Sequence, residues 1–268
     1  MFHSVRLFFT GILINLQFFT SIPINKQFHL DKKQLKYALQ TFPVLGLIQG
    51  GMYAGFLYVL QSFTPFSDLM SALLLWLFLI ILSGGIHLDG WIDASDAYFS
   101  YKDPEKRLEI MKDPRVGAFG VLSVVVFLFV RFIIIYEIAQ LADTATYLLV
   151  VFIPFFGKSL LGIYLQGLPL ARNEGMAHFF RQGKTKYFLT VYIFYILFFG
   201  SLLVWLRFEL IIPYIIFTAV FMIMSFFIAG FIKRNFTGIS GDTLGASSEG
   251  MELLLWLTLW LLLSYAMV

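Results

Sequence analysis

The sequence predicts an all-α protein: a polytopic integral membrane helical bundle of seven spans, with an N-terminal apolar helix that crosses the bilayer or lies at its interface. Three observations predict this. Of 268 residues, 59% are hydrophobic and only 13% charged, against roughly 25% charged in an average soluble domain. Mean hydropathy is +0.84. Apolar runs of about 20 residues, enough to cross a hydrocarbon core, recur near 40–60, 69–86, 118–138, 145–166, 188–206, 211–231 and 251–267. The 32 Phe, 13 Tyr and 5 Trp suit lipid-facing and interfacial positions.

The elements follow in order. Segment 5–22 is apolar but contains Gly11, Asn15 and Gln17 and ends at Pro23, so it either spans or lies in the interface as an amphipathic helix. It shows no cleavable signal peptide: only Arg6 precedes the apolar run, and no small-residue cleavage site follows. The seven runs beyond it alternate between two kinds of connection. Lys and Arg collect in 25–37, 87–117, 167–187 and 232–250, whereas 61–68 and 139–144 have none and 207–210 has only Arg207. The basic set is expected to be cytoplasmic, which places the C-terminus outside. Of the 16 Asp and Glu, only Asp68, Glu137, Asp143 and Glu209 fall on or near the predicted outer side. A shared cytoplasmic site explains that asymmetry; the greater length of the inner loops explains part of it. We read 1–268 as a single membrane-embedded domain.

The net charge of +3 is ordinary for such a protein and does not point to nucleic acid. The absence of cysteine excludes disulfides, thiolate nucleophiles and Cys-ligated metal centres.

The most informative stretch is Gly84-Gly85-Ile86-His87-Leu88-Asp89-Gly90-Trp91-Ile92-Asp93-Ala94-Ser95-Asp96-Ala97. Asp89, Asp93 and Asp96 stand at i, i+4 and i+7, which puts all three on one helix face about two turns long. Three crowded carboxylates repel one another and require a cation, protons or basic partners. Clustered hard oxygens suit Mg²⁺, Mn²⁺ or Ca²⁺. The competing reading is the solvated end of an apolar helix, but the flanking glycines permit close backbone approach that a plain surface helix does not need.

Three further elements bear on chemistry. Glu109 and Asp113 are spaced i, i+4 on a helix that Pro114 ends; Arg115 follows with a planar fork suited to phosphate. Gly117 and Gly120 open the next span. Thr237 to Ala246 reads as a turn-rich loop able to present N–H groups to phosphate, with Glu249 and Glu252 in the opening turns of the last helix, where acids also simply suit the dipole. Leu170 to Met176, with Arg172, and the downstream Lys184 and Lys186 can grip an anion or merely form a positive-inside loop. Arg131 and Lys158 lie within predicted spans; intramembrane charge is a functional hypothesis by default, although either side chain can snorkel.

Taken together, GGIHLDGWIDASDA, EKRLEIMKDPRVGAFG and GDTLGASSEGME, in this order between spans, resemble the cobalamin synthase family, the adenosylcobinamide-GDP ribazoletransferases. LQFFTSIPI, FPVLGLIQGG and ARNEGM are similar to that family too, so the resemblance covers most of the chain. Trp91 and Ser95 depart from it as bulky or polar residues but leave the acidic spacing intact. The resemblance implies a multi-pass transferase of the cell (inner or plasma) membrane with cytoplasmic active-site loops. It joins adenosylcobinamide-GDP to α-ribazole, or its 5′-phosphate, in a Mg²⁺-dependent reaction that releases GMP. Its expected partners are these two small molecules and the bilayer, without nucleic acid. The corresponding expectations for residues are Asp89, Asp93 and Asp96 as metal ligands; His87, Glu109 and Asp113 as catalytic groups; and Arg115, Arg172, Lys184, Asp242 and Glu249 as substrate contacts.

Two alternatives differ in kind. A CDP-alcohol phosphotransferase also uses membrane-edge aspartates, but its Asp-Gly is followed by Ala-Arg, whereas Asp89-Gly90 is followed by Trp91-Ile92-Asp93-Ala94. A cation-coupled transporter is expected to hold its acids near the bilayer midplane, not at one edge.

Overall fold

The computed structural model describes residues 2–265. Twelve α-helices follow in order: α1 Phe2–Phe19, α2 Lys32–Gln40, α3 Phe42–Phe63, α4 Asp68–Ser83, α5 Ile86–Ser100, α6 Pro104–Ile110, α7 Ala118–Leu141, α8 Thr144–Gly167, α9 Gly175–Arg181, α10 Phe188–Leu206, α11 Ile211–Phe236 and α12 Gly241–Tyr265. Six of them, α3, α7, α8, α10, α11 with its preceding 3₁₀ turn, and α12, are long and apolar enough to cross a membrane. This is the expected all-helical bundle. The apolar part of α1, Ser4–Phe19, is shorter than these spans.

The seventh expected span, 69–86, departs from expectation. α4 stops at Ser83, and α5 leaves its axis at 87°. Gly84 and Gly85 make this corner with φ of +64° and +73°, left-handed values that residues with a Cβ rarely adopt. The apolar crossing part of the pair is α4, about 24 Å long at 1.5 Å per residue. The acids all lie on α5, turned aside from it.

α8 is the central helix and the most deeply buried of the six. It packs most extensively on α3 through Gly46 and Gly50, one turn apart. A Cβ at either position would overlap the α8 backbone at Pro154 and Val151. With lipid on the outside there is little hydrophobic drive between helices, so close backbone approach supplies the packing.

The fold also places charge inside. Arg131 on α7 donates to Glu249 (2.6 Å) and Glu252 (3.3 Å) on α12, and Lys158 on α8 donates to Glu252 (2.8 Å) and Ser248 (3.2 Å). All four ionic side chains are at most 4% exposed. Neither base snorkels. Gly157 leaves room for Glu252, since a Cβ there would lie 2.6 Å from its Cγ. Two cations and two anions balance, which makes burial in the membrane tolerable. The expectation that Glu249 and Glu252 occupy the opening turns of the last helix is therefore corrected. α12 begins at Gly241, so Asp242 holds the first turn and the glutamates sit further along, inside the bundle. The predicted loop shrinks to Thr237–Ser240, because Ser240 and Thr243 exchange hydrogen bonds and cap the new helix start.

Candidate active site

A cavity of about 540 Å³ is walled by the start of α5, the start of α12, α8, α9 and the loop before α9. Each wall is fixed locally. Leu170 bridges to Ile239: Ala171 N–H donates to the Ile239 carbonyl (2.9 Å), and Ile239 N–H to that of Pro169 (2.8 Å). This pins the ARNEGM loop to the loop that opens α12. Arg172 donates to the Leu108 carbonyl of α6, so one arginine ties the loop before α9 to α6 at the cavity wall.

α5 presents different chemistry on its two faces. Its back face carries Trp91 and Ser95. Trp91 Nε1 donates to Ser123 Oγ on α7 (2.9 Å), and that hydroxyl donates to Ser95 (3.0 Å). Trp91 and Ser95 thus hold α5 onto α7. The opposite face carries the acids, with burial increasing along the helix. Asp89 is exposed and lines the cavity, Asp93 is half-buried, and Asp96 is buried and accepts from Gly120 N–H (3.3 Å). Gly117 stands against the Asp96 carboxylate, in space that a Cβ would fill. Burial, reinforced by the charges of Asp89, Asp242 and Asp96, pushes the Asp93 carboxyl up to about 6. The carboxylates of Asp89, Asp93, Asp96 and Asp242 have no ion pair among the described residues.

Asp242 lines the cavity beside Ser240. It is brought to α5 by Gly90, where a Cβ would lie 2.7 Å from the Asp242 carbonyl oxygen and 2.8 Å from its Cα. Gly90→Ala is therefore expected to push α5 off α12. A displacement of about 1 Å at a reacting centre costs on the order of 10²-fold in rate. Steady-state kinetics would show the loss, and wild-type turnover would refute the role given to this contact.

His87 is 3% exposed, lines the cavity and stacks on Phe19 at 5.9 Å between ring centroids. Its Nε2 has no hydrogen-bond partner. Burial, with Lys158 nearby, holds its pKa well below the usual histidine value, so the ring is neutral.

The structure thus brings His87, Asp89, Arg172 and Asp242 to one cavity, with Asp93 behind Asp89. It does not bring the other expected residues there. Glu109 is exposed on α6. Asp113 lies beyond that helix, because α6 ends at Ile110. The expected shared face of Glu109 and Asp113 therefore does not form. Tight turn bonds from Lys112 N–H to Glu109 and Asp113 N–H to Ile110 close the helix early, ahead of Pro114, which disfavours helix at residue 113. Asp113 instead pairs with Arg115 at 2.6 Å, which holds its carboxyl down at about 2. Arg115 itself is 87% exposed. Lys184 is exposed in the turn after α9, and Glu249 belongs to the buried ion network.

The cavity wall also holds residues that the sequence did not single out. Lys112 and Glu174 pair at 2.6 Å across 62 residues of chain. Phe19 and Phe180 form an aromatic floor with centroids 5.4 Å apart. No short-range spacing signals either pair. Among the described residues, no three His, Asp or Glu side chains converge as a preformed metal cage.

Comparison with known proteins gives one consistent answer. The model of the family described as cobalamin-5-phosphate synthase matches residues 11–260. A Geobacillus sp. (strain WCH70) protein named adenosylcobinamide-GDP ribazoletransferase is 37% identical over 261 residues, 97% of this chain and 98% of its own. Proteins of the same name from Geobacillus thermodenitrificans (strain NG80-2) and Desulfitobacterium hafniense (strain Y51) are 35% and 34% identical. They cover 98% and 90% of this chain, and 100% and 92% of their own lengths. No solved structure matches the chain significantly. A family match over nearly the whole length, joined to a helical membrane bundle whose acids gather at one cavity, establishes that this chain belongs to the cobalamin-5-phosphate synthase family of enzymes.

Proposed function

We propose that this enzyme joins adenosylcobinamide-GDP to α-ribazole, or to α-ribazole 5′-phosphate, in a Mg²⁺-dependent reaction at the cavity between α5 and α12. The names of its relatives support the two substrates. The observation that carries the site is the convergence of Asp89, Asp242, Arg172 and His87 on one cavity.

A ribose hydroxyl attacks the cobinamide-side phosphorus of the pyrophosphate. The new P–O bond forms, the bond to the bridging oxygen breaks, and GMP leaves with that oxygen. The hydroxyl proton goes to His87 Nε2, which is buried at the cavity wall without a partner, or to a neighbouring carboxylate. Arg172 meets phosphate oxygen with a fork already oriented by the Leu108 carbonyl. At about 540 Å³ the cavity suits a ligand of nucleotide size, so the corrin ring is expected to stay outside it. The donor chemistry fits a hard divalent cation: Asp89, Asp93 and Asp242 carry no ion pair among the described residues and would supply one or two of its oxygens, with water and the pyrophosphate completing the shell. When bound, Mg²⁺ neutralises pyrophosphate charge as it builds in the transition state.

Purified full-length protein given both substrates and Mg²⁺ should yield one GMP per cobalamin product. Omitting either substrate, or chelating the metal, should abolish GMP release. GMP release with adenosylcobinamide-GDP alone would overturn the transfer reading, and CMP release from CDP-linked lipids would point to the phospholipid-synthase alternative. The active-site loops are assigned to the cytoplasmic face of the cell membrane on the Lys and Arg pattern. Cysteines replacing Lys102 and Lys186 should label from that side, and one replacing Pro65 only from the other. Labelling of the first two from opposite sides would reverse the assignment.

A further inference from the structure

A second, smaller hollow of about 390 Å³ lies away from the active site, between the start of α1, the segment 21–31 and α2. Its wall carries Arg6, Lys26, His29 and Lys33, contributed by three separate stretches of chain. All four are exposed, and none has an ion pair among the described residues. The single acid on the wall, Asp31, is turned to helix capping: its carboxylate accepts from Gln34 N–H at 2.7 Å.

The hollow has a fixed shape even though its segment lacks regular structure. Gln17 Nε2 donates to the carbonyls of Ile24 (2.9 Å) and Lys26 (3.2 Å), tying the segment to α1. Leu30, with φ of +51°, donates its N–H to Gln34 Oε1 (2.9 Å), tying it to α2. These bonds hold Lys26 opposite Arg6 and Lys33, where like charges repel unless an anion sits between them. Solvated loop lysines would splay apart; here the backbone is bonded into a concave wall.

The exposed apolar residues beside the hollow select the anion. Val5 and Phe9, one residue before and three after Arg6, are 49% and 60% exposed, on a short apolar helix of interfacial length. An acyl chain against Val5 and Phe9 leaves its phosphate level with Arg6.

We propose that this hollow is a binding site for the phosphate headgroup of an anionic phospholipid, with the acyl chains lying along Val5 and Phe9. The site is independent of the transferase chemistry. Its role is to anchor α1 and the 21–31 segment, and with them Phe19, at the floor of the catalytic cavity.

The test uses full-length protein and native mass spectrometry after delipidation, with phosphatidylglycerol, phosphatidylcholine of matched chains, or inorganic phosphate added back. Wild type should retain phosphatidylglycerol over phosphatidylcholine. A triple variant, Arg6→Gln, Lys26→Gln and Lys33→Gln, should lose roughly 100-fold in phosphatidylglycerol affinity, the sum expected for three basic groups at an anionic surface. A control of equal charge change, Lys102→Gln, Lys186→Gln and Lys233→Gln, should retain it. Should the triple variant fail to fold, Lys26→Gln and Lys33→Gln made singly are each expected to lose about 5-fold. Equal retention by triple variant and control, or no loss in the single variants, overturns the site. Binding of inorganic phosphate without preference for phosphatidylglycerol overturns the lipid as its occupant.

Discussion

Arg131→Met is expected to destabilise this protein by about 3–5 kcal/mol, the cost of breaking a buried ion pair from one side. The side-chain volume is nearly kept, so little of the loss comes from packing. What remains is Glu249 and Glu252 on α12 with only Lys158, 2.8 Å from Glu252, to balance two charges inside the bundle. Reversible unfolding in mixed micelles should show the loss directly. Adding Glu249→Gln to Arg131→Met should restore a large share of it, because the stranded charge is removed. A single variant within about 1 kcal/mol of wild type would mean that the network is hydrated, and the clamp would have to be given up. Activity is expected to fall along with stability, because α12 also carries Asp242 and Gly245. A Cβ at Gly245 would lie only 3.1 Å from the backbone of His87.

Asp89→Asn, Asp93→Asn and Asp242→Asn are each expected to lower turnover by roughly 10²-fold or more, on the scale of removing one group that stabilises transition-state charge. Substrate binding should weaken less than turnover, since the interaction is made mainly in the transition state. Asp89 is exposed on the cavity wall, so its Asn variant should unfold like wild type, which separates chemistry from stability. Mn²⁺ binding followed by electron paramagnetic resonance gives a readout independent of turnover and should weaken in the same variants. Asp96 tests a finer distinction. Its carboxylate accepts from Gly120 N–H and packs on Gly117, and Asn keeps an acceptor oxygen there. A loss below about 10-fold for Asp96→Asn would make it a support for α7, whereas a loss equal to that of Asp89→Asn would make it a ligand. Near-normal turnover in all the Asn variants at saturating Mg²⁺ would remove the metal from this face.

The local order of charge and apolarity determined a good deal by itself. Runs of apolar residues longer than a soluble helix needs can only be accommodated as spans, and six of the seven expected runs are such helices. The i, i+4, i+7 spacing placed Asp89, Asp93 and Asp96 on one face of α5 as soon as that segment was helical, because the period of a helix is fixed by its backbone. Gly84-Gly85 was visible as a place of backbone freedom, but the 87° turn it makes was not, since two glycines permit many conformations and packing selects one.

Tertiary structure decided the rest. Glu249 and Glu252 read equally well as first-turn acids, and only the bundle interior shows them facing Arg131 and Lys158, 118 and 94 residues away in sequence. Asp242 approaches α5 because Gly90 admits its backbone, a fact about two helices rather than one. Glu109 and Asp113 kept their spacing but lost their shared face once α6 closed at Ile110. Spacing along the chain fixes which residues can share a helix face. Which face meets which depends on long-range packing and on balancing charge removed from water, and neither is encoded within a few residues.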